Sequence, residues 1–133
     1  MTYLIDTDII IYSLKNHDQV VENFRRFANA QKSISVITYG ELAYGARKSQ
    51  HVEKNLAKVY RIGELFPVLP VSRTIMDTFG SLKATLEKAG QSIDDMDLLI
   101  AATAITHNLI LVTNNNRHFA KISGLETINW AHN

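Results

Sequence analysis

Short apolar runs alternate along this chain with stretches of helical periodicity, and three of the apolar runs meet carboxylates. Tyr3-Leu4-Ile5 closes on Asp6, Ile34-Ser35-Val36-Ile37-Thr38 is followed by Glu41, and Asp94, Asp95 and Asp97 stand just before Leu98-Leu99-Ile100-Ala101-Ala102. Strands alternating with helices predict an α/β fold with a parallel sheet covered on both faces. In such a sheet, strand ends of one polarity share an edge, and ligands bind in the crevice there. Acids converging on that edge make a hard-cation site, because carboxylate oxygens suit Mg²⁺ or Mn²⁺. A cation held this way usually handles phosphates, so the pattern points to metal-dependent phosphoryl chemistry.

Composition sets the outer limits. A chain of 133 residues predicts a single domain, 1–133, large enough to bury a real core. The formal net charge of +1 gives no global basic field, so nucleic-acid binding would rest on local basic patches. With no cysteine, disulfides, thiolate metal sites and Cys nucleophiles are excluded together. Met1-Thr2-Tyr3-Leu4-Ile5 lacks the basic region of a signal peptide and meets Asp6 almost at once. No apolar stretch approaches the roughly 20 residues that span a bilayer, and the expected location is the cytoplasm.

The periodicity predicts a strand at Tyr3–Ile5 and a helix beginning at Ile9-Ile10-Ile11-Tyr12 after an acidic turn. A second amphipathic helix carries Val20, Val21, Phe24, Phe27 and Ala28. Ser33–Val36 reads as a strand, after which Thr38 opens a helix with Leu42, Ala43 and Ala46. A helix over His51–Leu65 turns Leu56, Val59, Tyr60 and Ile62 inward, and Pro67–Val71 reads as a strand of limited pairing. Ser72–Ala89 is a helix with Ile75, Met76, Phe79, Leu82 and Leu86 on one side, stopped by Gly90. Asp97–His107 is apolar almost all round and should be a buried helix ended by Asn108. Leu109–Thr113 is the clearest buried strand, followed by a short helix over Arg117–Ile122 and a last strand at Glu126–Ile128.

Each acid also has a plainer reading. Asp6 and Asp8 suit the N-cap of the helix that follows. Thr38-Tyr39-Gly40-Glu41 matches a capping box, with Glu41 reaching back to the Thr38 amide. Asp94, Asp95 and Asp97 suit a helix start, where the macrodipole favours negative charge. Capping does not explain why each acid follows an apolar strand or opens a buried helix. Asp97 lies directly against an apolar run, where an unpaired carboxylate is costly and a divalent cation would offset the cost. Thr113-Asn114-Asn115-Asn116 ends the best strand and is either a polar turn or a set of donors, Thr113 and Asn115 foremost, to metal-bound water or phosphate. Arg117 and Lys121 follow that turn and are the best candidates for phosphate-backbone contacts. Tyr12, Tyr39 and Tyr44 are placed to stack bases, although Tyr44 suits the core or a dimer interface better.

The segments Leu4-Ile5-Asp6-Thr7-Asp8-Ile9, Ser35 through Gly45, Asp97 through Ala102 and Leu111-Val112-Thr113-Asn114-Asn115 resemble, in that order, the PIN-domain ribonucleases. Within them, the resemblance is to the VapC toxins of VapBC toxin–antitoxin pairs. His118-Phe119 through Gly124-Leu125 to Asn129-Trp130 completes a match over essentially the whole chain. The resemblance implies a Rossmann-like α/β/α sandwich with a central, mostly parallel sheet. It implies a Mg²⁺- or Mn²⁺-dependent endoribonuclease in which Asp6, Glu41 and Asp97 are the catalytic, metal-site acids. Asp8 sits where the family often has Asn and is a supporting residue. Many members carry a fourth acid after the Thr113 strand. Here Asn115 and His118 occupy the two positions where it would stand, and Asp94 or Asp95 is an alternative source. As partners the resemblance implies a VapB-like antitoxin laid over the acidic crevice, a homodimer, operator DNA bound only through the antitoxin, and an RNA substrate. That substrate is expected to be tRNA, with initiator tRNA suggested by the subgroup ending in a Gly-Leu…Trp tail.

The expected reaction is hydrolysis of an RNA phosphodiester by a metal-activated water. Two other classes remain open from the residues. Asp6-Thr7-Asp8 after a strand resembles the Asp-x-Asp of haloacid-dehalogenase-like phosphatases, in which Asp8 would be essential. A catalytically degenerate module that binds RNA or antitoxin is the second, because metal sites are sensitive to loss of a ligand.

Overall fold

The structure, a computed structural model, describes residues 2–132. Five strands, β1 (Thr2–Ile5), β2 (Gln31–Ser35), β3 (Val68–Leu69), β4 (Ile110–Val112) and β5 (Thr127–Ile128), form one sheet in the order β3-β2-β1-β4-β5. Every pairing is parallel, so the sheet expected to be mostly parallel is wholly so. Strand β1 is central, with Tyr3 opposite both Lys32 and Ile110. Its side chains alternate between two cores, as the strand period of two demands. Tyr3 and Ile5 join Ile34 and Val112 in one, while Leu4 and Leu111 enter the other.

Helices α1 (Thr7–Leu14), α2 (Asp18–Arg26), α3 (Val36–Arg47) and α4 (Val52–Leu65) cover the first face, through Ile9, Val20, Leu42 and Ile62 among others. Helices α5 (Arg73–Lys88), α6 (Asp95–Thr106) and α7 (Asn116–Phe119) cover the second, through Leu86, Ile100 and Phe119. The expected α/β/α sandwich is therefore present. Among the described residues no helix is long and apolar enough to cross a membrane.

The sheet changes direction at β1. Strands β2 and β3 extend to one side of it, β4 and β5 to the other. The crevice of an open parallel sheet lies at the carboxyl ends of the strands where the order reverses, here β1 and β4. The Asp6 amide donates to the Val112 carbonyl at 2.9 Å, which ties those two ends together.

Several element boundaries differ from expectation, for one shared reason. Helix α1 begins at Thr7, α3 at Val36 and α6 at Asp95, each two residues ahead of the apolar signal. Their first turns are polar or exposed, and apolar periodicity marks only the buried stripe. Asp6, Ser35 and Asp94 cap them by accepting the amides of Thr7, Ile37 and Met96. The strand expected at 33–36 accordingly stops at Ser35. Tyr60 and Met76 lie at the margin of their stripes and are exposed, not inward. Tyr44 is exposed and not in the core, with the Lys48 ammonium 4.9 Å from its ring centroid, so of its two expected places only an interface is compatible with the structure. Gly90 stops α5 with φ of +71°, a left-handed conformation that glycine takes without strain.

The C-terminal segment is held by aromatic packing. Trp130 stacks on Phe27 at 5.1 Å between centroids and 4° between planes, and meets Phe24 edge-on. Buried Asn23 donates its side-chain amide to the Trp130 carbonyl at 2.9 Å. This anchoring brings Asn129, one residue earlier, within reach of the crevice.

Candidate active site

Asp6 ends β1 and caps α1. Its Oδ1 accepts the Thr7 amide at 2.8 Å, and its Oδ2 accepts the Thr113 hydroxyl at 2.7 Å from the end of β4. Burial pushes this carboxyl up to about 7, and the charge of Asp8 pushes the same way. The hydrogen bonds from Thr113 and Thr7 oppose the rise, and Asp97 adds to it. Asp8, in the first turn of α1, accepts the Asn114 amide at Oδ2 at 3.1 Å. Its Oδ1 is buried without a hydrogen-bond partner. Burial raises the Asp8 pKa, and Asp97 contributes further.

Asp97 enters from the first turn of α6 and is half-buried. Its pKa is raised by burial, offset by His118 and raised again by Asp94. His118, on α7, places Nε2 3.3 Å from Asp97 Oδ2. That contact is within ion-pair distance, and the buried Nε2 has no other polar partner.

Glu41 projects from α3. The capping box expected for it does not form, because the chain turns into α3 at Ser35 and leaves Thr38 inside the helix, fully buried. Glu41 Oε1 instead accepts the Thr7 hydroxyl at 2.6 Å, and Thr7 also lies 3.0 Å from the Thr38 hydroxyl. Thr7 thus links the acid on α3 to the acids flanking it on α1. Thr7→Val keeps the size and removes that donor. It is expected to lower the cleavage rate constant about tenfold with little change in RNA affinity, as read in single-turnover assays over a range of enzyme concentrations.

The loop after β4 completes the site. Thr113 donates to Asp6 and accepts the Asn115 amide at 3.0 Å. Asn114 donates its side-chain amide to the Tyr12 hydroxyl at 3.2 Å and accepts from Asn129 at 2.9 Å. Tyr12, a candidate for base stacking, is therefore engaged in holding this loop. Asn115 is exposed at the start of α7. Arg117 and Lys121 are exposed on α7 and just beyond it, beside His118.

The other acids are placed differently. Asp94 caps α6 and is close enough to raise the Asp97 pKa. Asp95 turns to the surface and pairs with Lys83 at 3.0 Å, so it does not substitute for a fourth acid.

Among the described residues no three Asp, Glu or His side chains form a ready-made metal cage. The donor chemistry nonetheless suits a hard cation. Asp6, Asp8 and Asp97 each have a raised pKa. Asp8 Oδ1 and His118 Nε2 are buried with no hydrogen-bond partner. A divalent ion would satisfy both kinds of deficit.

The PIN domain model matches residues 3–125 of the chain. Ribonuclease VapC2 of Haemophilus influenzae is 37% identical over 131 residues, which cover 98% of each chain. The tRNA(fMet)-specific endonuclease VapC of Shigella flexneri is 34% identical over 131 residues, 98% of this chain and 99% of that one. The chain belongs to the VapC family of PIN-domain ribonucleases. The fold of VapBC2 from Rickettsia felis, in a crystal structure with a DNA fragment from its promoter, superposes with a TM-score of 0.90. That match has 36% identity and covers 98% of this chain and 99% of the other.

Membership of the VapC family removes the haloacid-dehalogenase reading of Asp6-Thr7-Asp8. Sequence reasoning had no account of Thr7, which carries no charge and lies between two acids that draw attention away from it. Nor did it separate Asn114, the residue that joins Asp8, Tyr12 and Asn129, from its Asn neighbours. Only the fold shows that β4 ends beside Asp6.

Proposed function

We propose that this protein is a metal-dependent endoribonuclease, the toxin of a type II toxin–antitoxin pair, that hydrolyses phosphodiesters of tRNA. The observation that carries the reading is the meeting of Asp6, Asp8 and Asp97 at the β1–β4 crevice, each with a raised pKa and without a basic side chain other than His118 shown to pair with it. Asp6 and Asp97 would hold Mg²⁺ or Mn²⁺, with Glu41 joining directly or through water. A bound cation supplies a water of lowered pKa and stabilises charge on the phosphorane. Glu41 is held at Oε1 by the Thr7 hydroxyl, and Asp8 is fixed by the Asn114 amide. Arg117 and Lys121 would meet the RNA backbone as it leaves the crevice.

The Shigella flexneri relative supports tRNA, and initiator tRNA in particular, as the substrate. The Rickettsia felis complex, VapBC2 with promoter DNA, supports a VapB-like antitoxin as the partner; operator DNA would be reached through that antitoxin. A groove of about 420 Å³ between α1, α3 and α4 runs to Glu41 and offers such a partner Ile11, Leu14, Leu42 and Val59. A homodimer is part of the same reading.

The test is cleavage of a total tRNA pool by antitoxin-free protein with Mg²⁺, Mn²⁺ or EDTA. Discrete fragments that vanish with EDTA are expected. Folded protein that cuts nothing under any of these conditions would instead identify a degenerate binding module.

A further inference from the structure

We infer that His118 is a ligand of the cation site, which makes it a mixed carboxylate–imidazole site selective for Mn²⁺ over Mg²⁺. This rests on the metal reading above. Two positions stand where a fourth acid would be expected, and the structure separates them. Asn115 is exposed and begins α7. His118 is on the inner side of α7, with Nε2 buried and 3.3 Å from Asp97 Oδ2.

The nitrogen is available as well as near. Its one polar contact is the 3.3 Å approach to Asp97 Oδ2, which a shared cation would bridge. The ring packs edge-on against Phe119 at 5.5 Å between centroids, and Phe119 is 1% exposed. The core thus fixes α7 and with it the direction of the imidazole. Asp8 Oδ1 is the second unpartnered buried atom in the same crevice, on a carboxylate that senses the charge of Asp97.

Chemistry sets the selectivity. Mg²⁺ keeps an oxygen shell and gives up its waters reluctantly. Imidazole is a ligand for transition metals, while carboxylates accept both kinds of ion. Replacing an acid by His also removes one negative charge, which weakens a purely electrostatic hold on Mg²⁺. The rival role for His118 is a fixed countercharge to Asp97 without metal contact. The two roles predict opposite results, since loss of a ligand weakens Mn²⁺ binding and loss of a countercharge strengthens it.

The experiment titrates Mn²⁺ and Mg²⁺ into antitoxin-free, full-length wild type, Asp97→Asn, His118→Gln and His118→Glu. Pulsed EPR of the Mn²⁺-loaded proteins reports whether a nitrogen is bound. Expected are a nitrogen coupling in the wild type that both His118 variants lack, and a Mn²⁺-over-Mg²⁺ preference about tenfold smaller in His118→Glu. Mn²⁺ that binds in an Asp97-dependent way without nitrogen coupling, or more tightly in His118→Gln, would overturn the inference and leave the metal reading standing. Absence of binding, or binding that ignores Asp97→Asn, would overturn both. The spectrum of the wild type decides ligation even if a variant folds poorly.

Discussion

Asp97→Asn is expected to lower the rate of RNA cleavage by ~100-fold or more while leaving the fold intact. The substitution preserves shape, so α6 keeps its first turn and its Asp94 cap. Asp97 is half-buried, and the side-chain oxygen of Asn can keep the contact with His118 on α7. Stability should therefore move by less than about 1 kcal/mol. What disappears is the negative charge at the centre of the site, the one that Asp6 and Asp8 both feel and that lies beside His118. Single-turnover cleavage of a tRNA substrate in saturating Mg²⁺ and in Mn²⁺ checks the outcome. Activity within threefold of wild type in either metal would remove Asp97 from the site, and the proposed metal chemistry would lose its middle ligand.

The depth to which this site was readable in the sequence differs between residues. Asp6, Asp8 and Asp97 are legible because each adjoins an apolar run, and α/β topology sends such ends to one edge. Glu41 is ambiguous in sequence. The Thr38–Glu41 spacing of a capping box is there, and only the turn at Ser35 shows that the box is not used. The fold class follows from alternation of strand and helix, but the strand order does not, and the order is what places Thr113 on Asp6. Hydroxyl and amide connectors such as Thr7, Asn114 and Asn129 have no sequence signature, since their role depends on partners up to 106 residues away. Apolar periodicity places a helix start too late wherever a polar first turn precedes the apolar stripe, as at Asp95.

Asp6→Asn is expected to abolish cleavage and, at the same time, to stabilise the metal-free protein at pH 8. Asp6 is 6% exposed, and its carboxyl is pushed up from 3.8 to about 7. A carboxyl with a raised folded pKa binds its proton more tightly in the native state than in the unfolded chain. Its contribution to stability is fully present below pH 3.8 and is lost as pH rises through about 7. Wild-type protein in EDTA should therefore lose stability between roughly pH 4 and 7 and change little from this group above that. Asn carries no charge at any of these pH values and can still accept the Thr7 amide through its side-chain oxygen. Against that gain stands the Thr113 hydroxyl, which loses its acceptor at Oδ2 and must turn to accept from the new amide. With the two effects opposed, a net stabilisation of roughly 1–3 kcal/mol at pH 8 is expected, shrinking towards zero or below at pH 4. Thermal melts of both proteins in EDTA across this range measure it. Mg²⁺ should then reverse the order at pH 8, because it binds only the deprotonated carboxylates and raises the melting temperature of the wild type alone. A variant that melts below the wild type in EDTA at pH 8 would show that Asp6 is held by Thr113 and Thr7 more strongly than burial opposes it. The β1–β4 crevice would then be a settled hydrogen-bond network with no unmet demand for a cation.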